Sequence, residues 1–302
     1  ARMIQTFQRT LPHGITLSCR ATGEAGRPLM LFLHGFPEAA FIWDPLLEYF
    51  AQPEHGGYRC LAPNLRGFEQ SSSPPEVEAY RAHLVVKDIL ELAALEGPGG
   101  RIDTLVAHDW GGAFGWGLAN AHPGRLHRLV IINSPHPGTF LRELQSSPAQ
   151  QEASAYMSFL SRPDAEQLLA EDDYRRLWPF FAAPPGREWL TDEVKAQYRQ
   201  VWDAGLTGAC NLYRVTPLKP AAPGEPPRVF PELPRERFTV ELPTLVLWAM
   251  DDIALLPGLL DALEDYVPKM QLRKISGATH WIVHEQPDLV AREIERFARP
   301  SQ

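Results

Sequence analysis

One stretch of this chain admits few folds: Val106-Ala107-His108-Asp109-Trp110-Gly111-Gly112. The apolar, β-branched run at 102–106 reads as a buried strand, and the small-residue stretch at 111–121 reads as a helix stopped by His122-Pro123-Gly124. Between them there is room for a tight turn and nothing more. Strand, sharp turn and helix together make a nucleophile elbow, in which one side chain is held on a strained turn, clear of its own backbone. Here that side chain is a carboxylate, Asp109. The turn needs small residues two positions to either side; Gly111 meets this, and Ala107 stands where glycine is more usual. Taken by itself, Asp109 fits a helix N-cap equally well, because its oxygens can accept orphan amide N–H groups.

The surrounding elements decide what sheet the elbow belongs to. Strands are expected at 14–20, 28–33, 59–62, 126–132, 244–248 and 270–275, with helices at 43–50, 77–95, 258–266 and 288–298. The run PLMLFL at 28–33 is apolar throughout, as a strand buried on both faces requires. Strands alternating with helices give an α/β fold: a mostly parallel sheet covered on both faces. At Asn133-Ser134-Pro135-His136-Pro137 the pattern changes to aromatic-rich helical stretches, broken by Pro163, Pro179, Pro184-Pro185 and the proline-rich run at 217–234. Residues 1–135 and 236–302 therefore read as one core, and 136–235 as an inserted helical cap. Insertion after a central strand sets the cap over the carboxyl edge, where open α/β sheets bind ligands.

With 302 residues, 44% hydrophobic and 22% charged, the chain can fill such a core and its insertion. A net charge of −8 offers no basic stripe, which argues against nucleic acid and anionic membranes as partners and suits a monomer and a dimer alike. No apolar run approaches the roughly 18 residues of a membrane helix, and residues 1–10 lack the pattern of a signal peptide, so the expected location is cytoplasmic. Cys19, Cys60 and Cys210 are odd in number, far apart and without metal spacing; buried reduced thiols are expected.

Other residues bear on the role of Asp109. The loop His34-Gly35-Phe36-Pro37 follows a buried strand, and is either a plain turn or half of an oxyanion hole, with the N–H groups of Phe36 and Trp110 pointing at one developing negative oxygen. Late in the chain, Asp251-Asp252 and His280 each follow a strand. The order nucleophile, acid, histidine is the one such an elbow architecture uses, and three residues at strand carboxyl ends converge on one edge. His284 is expected to be solvated or packed, and Asp251 to stand by without a role. Tyr156 and Tyr213 fall in the helical insertion, where aromatics ordinarily pack.

The combination of HGFPE (34–38), HDWGG (108–112), WAMDDIALLP (248–257) and GATHWIVHEQP (277–287) resembles the soluble epoxide hydrolases of the α/β-hydrolase fold, in order and over nearly the whole chain. The resemblance implies Asp109 as nucleophile, His280 as base, Asp252 as acid and Phe36 and Trp110 as oxyanion donors, with Phe36, Pro37 and Trp110 beside the substrate. Asp252 is preferred to Asp251 because the family's acid stands five residues before a proline, here Pro257. It also implies two cap tyrosines that meet the epoxide oxygen: LTGACNLYR (206–214) resembles the second tyrosine motif and gives Tyr213, and PAQQEASAYMSFL (148–160) gives Tyr156.

The chemistry suits these groups. A carboxylate can displace at saturated carbon and leave an ester on its own side chain, and tyrosine hydroxyls can meet the oxygen that leaves. A base held by an acid then activates water against the ester. The substrate implied is a small apolar or aryl epoxide; no metal or organic cofactor is required, and the sequence shows neither a ligand cluster nor a glycine-rich phosphate loop. Dehalogenation is the alternative, since it uses the same nucleophile and base. Fluoroacetate dehalogenases follow the nucleophile with arginine, whereas here Trp110 follows and no arginine occurs between it and Arg125. Haloalkane dehalogenases need a second halide donor, an asparagine where Phe36 stands or a cap tryptophan, for which Trp178, Trp189 and Trp202 are candidates. Those with their acid after the preceding strand are excluded by Asn133-Ser134. A noncatalytic binding protein on the same fold would lack the nucleophile or the histidine, and a serine esterase would carry serine at the elbow.

Overall fold

Strands apolar at every position must be covered on both sides, and the centre of the sheet obeys this. The computed structural model describes residues 4–181 and 187–299, and Pro184-Pro185 lies outside them. Its strands are β1 (Gln5–Thr10), β2 (Thr16–Thr22), β3 (Leu29–Leu33), β4 (Arg59–Pro63), β5 (Ile102–His108), β6 (Leu126–Ile132), β7 (Thr244–Ala249) and β8 (Met270–Ile275). They form one sheet in the order β1-β2-β4-β3-β5-β6-β7-β8, antiparallel from β1 to β4 and parallel from there on. Every residue of β3, β4 and β7 is buried, whereas the edge strands β1 and β8 are partly exposed. The first strand expected at 14–20 is accompanied by a second, β1, whose QTFQRT carries one apolar residue and so gives no periodic signal.

The core helices α1 (Asp44–Phe50), α2 (Ala82–Glu96) and α3 (Trp110–Ala121) follow β3, β4 and β5. Alternation along the strands splits the interior in two. Phe32, Val106 and Leu245 pack with Leu46, Leu47 and Phe50 of α1, while Leu31, Leu105 and Ile131 pack with Ile89 of α2 and Phe114 of α3. After β6 the described residues contain helices and no strand until β7: α4 (Pro137–Ser146), α5 (Pro148–Ala153), α6 (Tyr156–Leu160), α7 (Ala165–Tyr174), α8 (Asp192–Asp203) and α9 (Thr207–Val215). The chain closes with α10 (Ile282–Glu285) and α11 (Pro287–Ala298). No helix among the described residues is long and apolar enough to cross a membrane.

One expected helix is absent. Residues 258–266 form two 3-10 turns, Pro257–Leu260 and Leu263–Asp265, separated by Ala262 at φ 60°. Arg142 of α4 explains this, because its guanidinium donates to the carbonyls of Asp261 (2.6 Å) and Gly258 (2.9 Å), which an α-helix would use internally.

Parallel register brings the functional loops to one edge. Leu33 pairs with Ala107, His108 with Ile132, and Ile132 with Leu247, so the loops after β3, β5, β6 and β7 leave the sheet side by side. Tyr213 of α9 packs edge-on against Phe36 and Trp110 just beyond that edge, with ring centroids 5.2 and 5.3 Å apart.

Candidate active site

Asp109 sits at φ 54°, ψ −126°, a backbone state its neighbours must hold in place. A Cβ on Gly111 would stand 2.4 Å from the Leu33 carbonyl oxygen, and one on Gly35 would overlap the Asp109 side chain at 2.3 Å. Ala107, where glycine is more usual, is accommodated from the helix side: its Cβ faces Gly115 of α3. The side chain of Asp109 makes no capping bond to α3, which removes the N-cap reading. Instead, one of its oxygens (Oδ2) accepts from the Phe36 N–H at 2.9 Å and the other (Oδ1) lies 3.1 Å from His280 Nε2. Trp110 begins α3, so its N–H has no intrahelical partner.

His280 lies between two carboxylates. Its Nδ1 donates to Asp252 Oδ2 at 2.6 Å, while Nε2 faces Asp109. Burial opposes a charge on His280, yet Asp252 and Asp109 outweigh it and raise its pKa well above the usual value. Burial likewise works against the charge of Asp109, and His280, His108 and the Phe36 amide overcome it, leaving the pKa lowered. Asp252 is itself oriented: Oδ1 accepts from the amides of Ala254 and Leu255 at 2.9 Å each, and Oδ2 from Asn133 Nδ2 at 3.0 Å. Asp251 is exposed and takes no part in this chain of contacts.

Two cavities meet at Asp109. One of about 300 Å³ is lined by apolar side chains that include Phe114, Phe140, Met157 and Phe238; the other, of about 560 Å³, reaches His280, Trp281 and Phe180. Asp109, Tyr156 and Tyr213 are on the walls of both. Burial and the nearby charge of Asp109 raise the pKa of both phenols, so they remain protonated donors. Phe36 and Trp110 each line one of the cavities. Pro37 lines neither, since it is buried with its carbonyl accepting from Trp202 Nε1 at 2.8 Å.

The sequence reading passed over several residues. His284 is neither solvated nor merely packed. It donates through Nε2 to Glu38 at 2.6 Å, stacks on Trp189, and stands 2.9 Å from the Tyr198 hydroxyl, which also donates to Glu38 at 2.7 Å. Glu38, 1% exposed, lies 3.5 Å from His108, whose Nε2 donates to the carbonyl of His280 at 2.8 Å. Asn133 and Ser134, neither of them an acid, have roles of their own: Asn133 steadies Asp252, and the Ser134 hydroxyl donates to the Asp109 carbonyl at 2.7 Å. The available signal for Glu38 is a glutamate set between the apolar Pro37 and Ala39. Cys19, Cys60 and Cys210 are buried and unpaired, as expected.

The family model described as the alpha/beta hydrolase fold matches residues 28–287. The chain belongs to the α/β-hydrolase family. Among curated proteins, this α/β hydrolase is 30% identical to epoxide hydrolase 4 of Mus musculus, over 97% of this chain and 79% of that protein. It is 31% identical to the AB hydrolase superfamily protein YfhM of Bacillus subtilis, over 95% and 96%. Among solved structures, an epoxide hydrolase from hot-environment metagenomes superposes with a TM-score of 0.84 at 31% identity, covering 99% of this chain and 100% of the other. The Bacillus megaterium epoxide hydrolase bound to an inhibitor gives 0.84 at 28% identity, covering 96% and 99%.

Proposed function

We propose that this α/β hydrolase converts epoxides to vicinal diols through an ester on Asp109. The observation that carries this reading is the composition of the wall opposite the nucleophile: Tyr156 and Tyr213 face the two cavities that Asp109 opens onto. A carboxylate oxygen of Asp109 attacks one ring carbon, the carbon–oxygen bond breaks, and a tyrosine hydroxyl supplies the proton the leaving oxygen needs. Forming the ester removes one of the two negative charges beside His280. The pKa of the histidine then falls, and its proton passes through solvent to the tyrosinate left by ring opening. The neutral imidazole can take a proton from water while Asp252 holds its ring. That water attacks the ester carbonyl, and the N–H groups of Phe36 and Trp110 meet the oxyanion. Collapse releases the diol and restores Asp109, so the sum is epoxide plus water.

Residues 136–235 act as the cap of a core made of 1–135 and 236–302, and bring the tyrosines to it. The apolar lining of the smaller cavity favours an alkyl or aryl substituent. The buried free thiols support a reducing, cytoplasmic setting.

Dehalogenation is less well supported. Trp202 Nε1 donates to Pro37, Trp178 Nε1 to the Asp173 carbonyl, and neither these nor Trp189 lines either cavity, so no cap indole is offered to a halide there. Incubation with styrene oxide, 1-chlorobutane and fluoroacetate, with diol, chloride and fluoride measured, is expected to give diol alone. Halide without diol would reverse the assignment.

A further inference from the structure

The two tyrosines stand on separate short helices, so their spacing needs a device to fix it. The helix α9 that carries Tyr213 ends at Val215 because Pro217 follows, and its last carbonyls have no amide partners. Lys219, 8% exposed, turns back under this end: Nζ donates to the carbonyls of Tyr213 (2.7 Å) and Arg214 (3.1 Å) and to Ser161 Oγ (3.4 Å). These carbonyls are the negative end of the helix dipole, which the ammonium meets together with the more distant charge of Glu225. Ser161, just past α6, places its hydroxyl between the carbonyls of Met157 (2.7 Å) and Tyr213 (3.1 Å). Met157 directly follows Tyr156, so one hydroxyl and one ammonium join the main chain under both tyrosines. Their rings lie 6.0 Å apart at 73°.

We infer that Lys219, with Ser161, is a positioning residue for epoxide opening, one that sets Tyr213 against Tyr156 so that both hydroxyls reach a single oxygen. The inference rests on the epoxide reading above. It predicts a selective defect, because the tyrosines serve ring opening, whereas ester hydrolysis uses His280, Asp252 and the Phe36 and Trp110 amides on the core.

The test is single-turnover kinetics with styrene oxide, following the Asp109 ester by rapid quench and mass spectrometry. Lys219→Met is expected to slow ester formation by on the order of 10- to 100-fold, the scale of a small misplacement of reacting groups, and to leave ester hydrolysis at the parental rate. Ser161→Ala, a milder change that keeps the charge, is expected to slow the same step to a smaller extent. In a Tyr213→Phe background, Lys219→Met is expected to add nothing, because the group it positions is gone. Equal slowing of both steps, a further loss on top of Tyr213→Phe, or parental ester formation in Ser161→Ala would overturn the inference. If the parent makes no diol, the epoxide reading itself fails, which is a separate outcome.

Discussion

In the proposed cycle, a histidine between two carboxylates starts with a proton it has to lose before it can act as a base. The pKa of His280 is raised by Asp252 and Asp109 together, but only the Asp109 charge disappears on esterification. In the proposed mechanism the nucleophile would therefore ready its own base by reacting. If so, removing the imidazole blocks the second step and spares the first. His280→Gln is expected to form the ester on Asp109 and then hydrolyse it slower by roughly 10² to 10⁴, the usual weight of a positioned acid–base group. Intact-mass measurement after mixing with styrene oxide should show the protein heavier by one substrate. Asp109→Asn should show no adduct and no turnover. An unmodified His280→Gln variant, beside an active parent, would count against the assignment.

At the scale of elements, the contact between α9 and the core is as close as two backbones allow. A Cβ on Gly208 would stand 2.4 Å from the Cα of Gly67 and 2.6 Å from the Tyr80 hydroxyl. The Gly67 side of this contact is main chain and yields little, so Gly208→Ala has to lift α9 and displace Tyr213 with it. A loss of about 1–3 kcal/mol in unfolding free energy is expected, read by denaturant titration, together with slower ester formation. What the sequence revealed follows the same division between local and non-local causes. The elbow, the buried strands and the acid and histidine at strand ends were legible because each is written in a few consecutive residues. The edge strand β1 was not, since it buries too little to show a period, and the helix expected at 258–266 was lost to a distant arginine. Glu38, His284 and Tyr198 meet across 160 and 246 positions of chain, which no local pattern encodes.

At the scale of the whole molecule, that same cluster joins the helical insertion to the sheet. Tyr198 and Trp202 of α8 bond to Glu38 and Pro37 in the loop that supplies the Phe36 amide, and one continuous apolar cluster runs from Leu31 and Leu105 to Met157, Trp202 and Tyr213. Insertion and core should therefore unfold together, in a single calorimetric transition that coincides with loss of near-ultraviolet circular dichroism. Glu38 also gives this joint a pH dependence. Burial opposes its charge, but His284, His108 and Tyr198 outweigh it and hold the pKa below the ordinary 4.5. A group depressed in this way binds fewer protons folded than unfolded, so its stabilisation is present above 4.5 and is lost as the pH falls below that value toward the folded pKa. Glu38→Gln removes the charge and should cost about 1–3 kcal/mol at neutral pH. Its melting temperature should then fall less steeply than the parent's on acidification through that range. Parallel acid limbs in parent and variant, or two separate transitions in the parent, would show that the cap is held to the core by something other than this buried carboxylate.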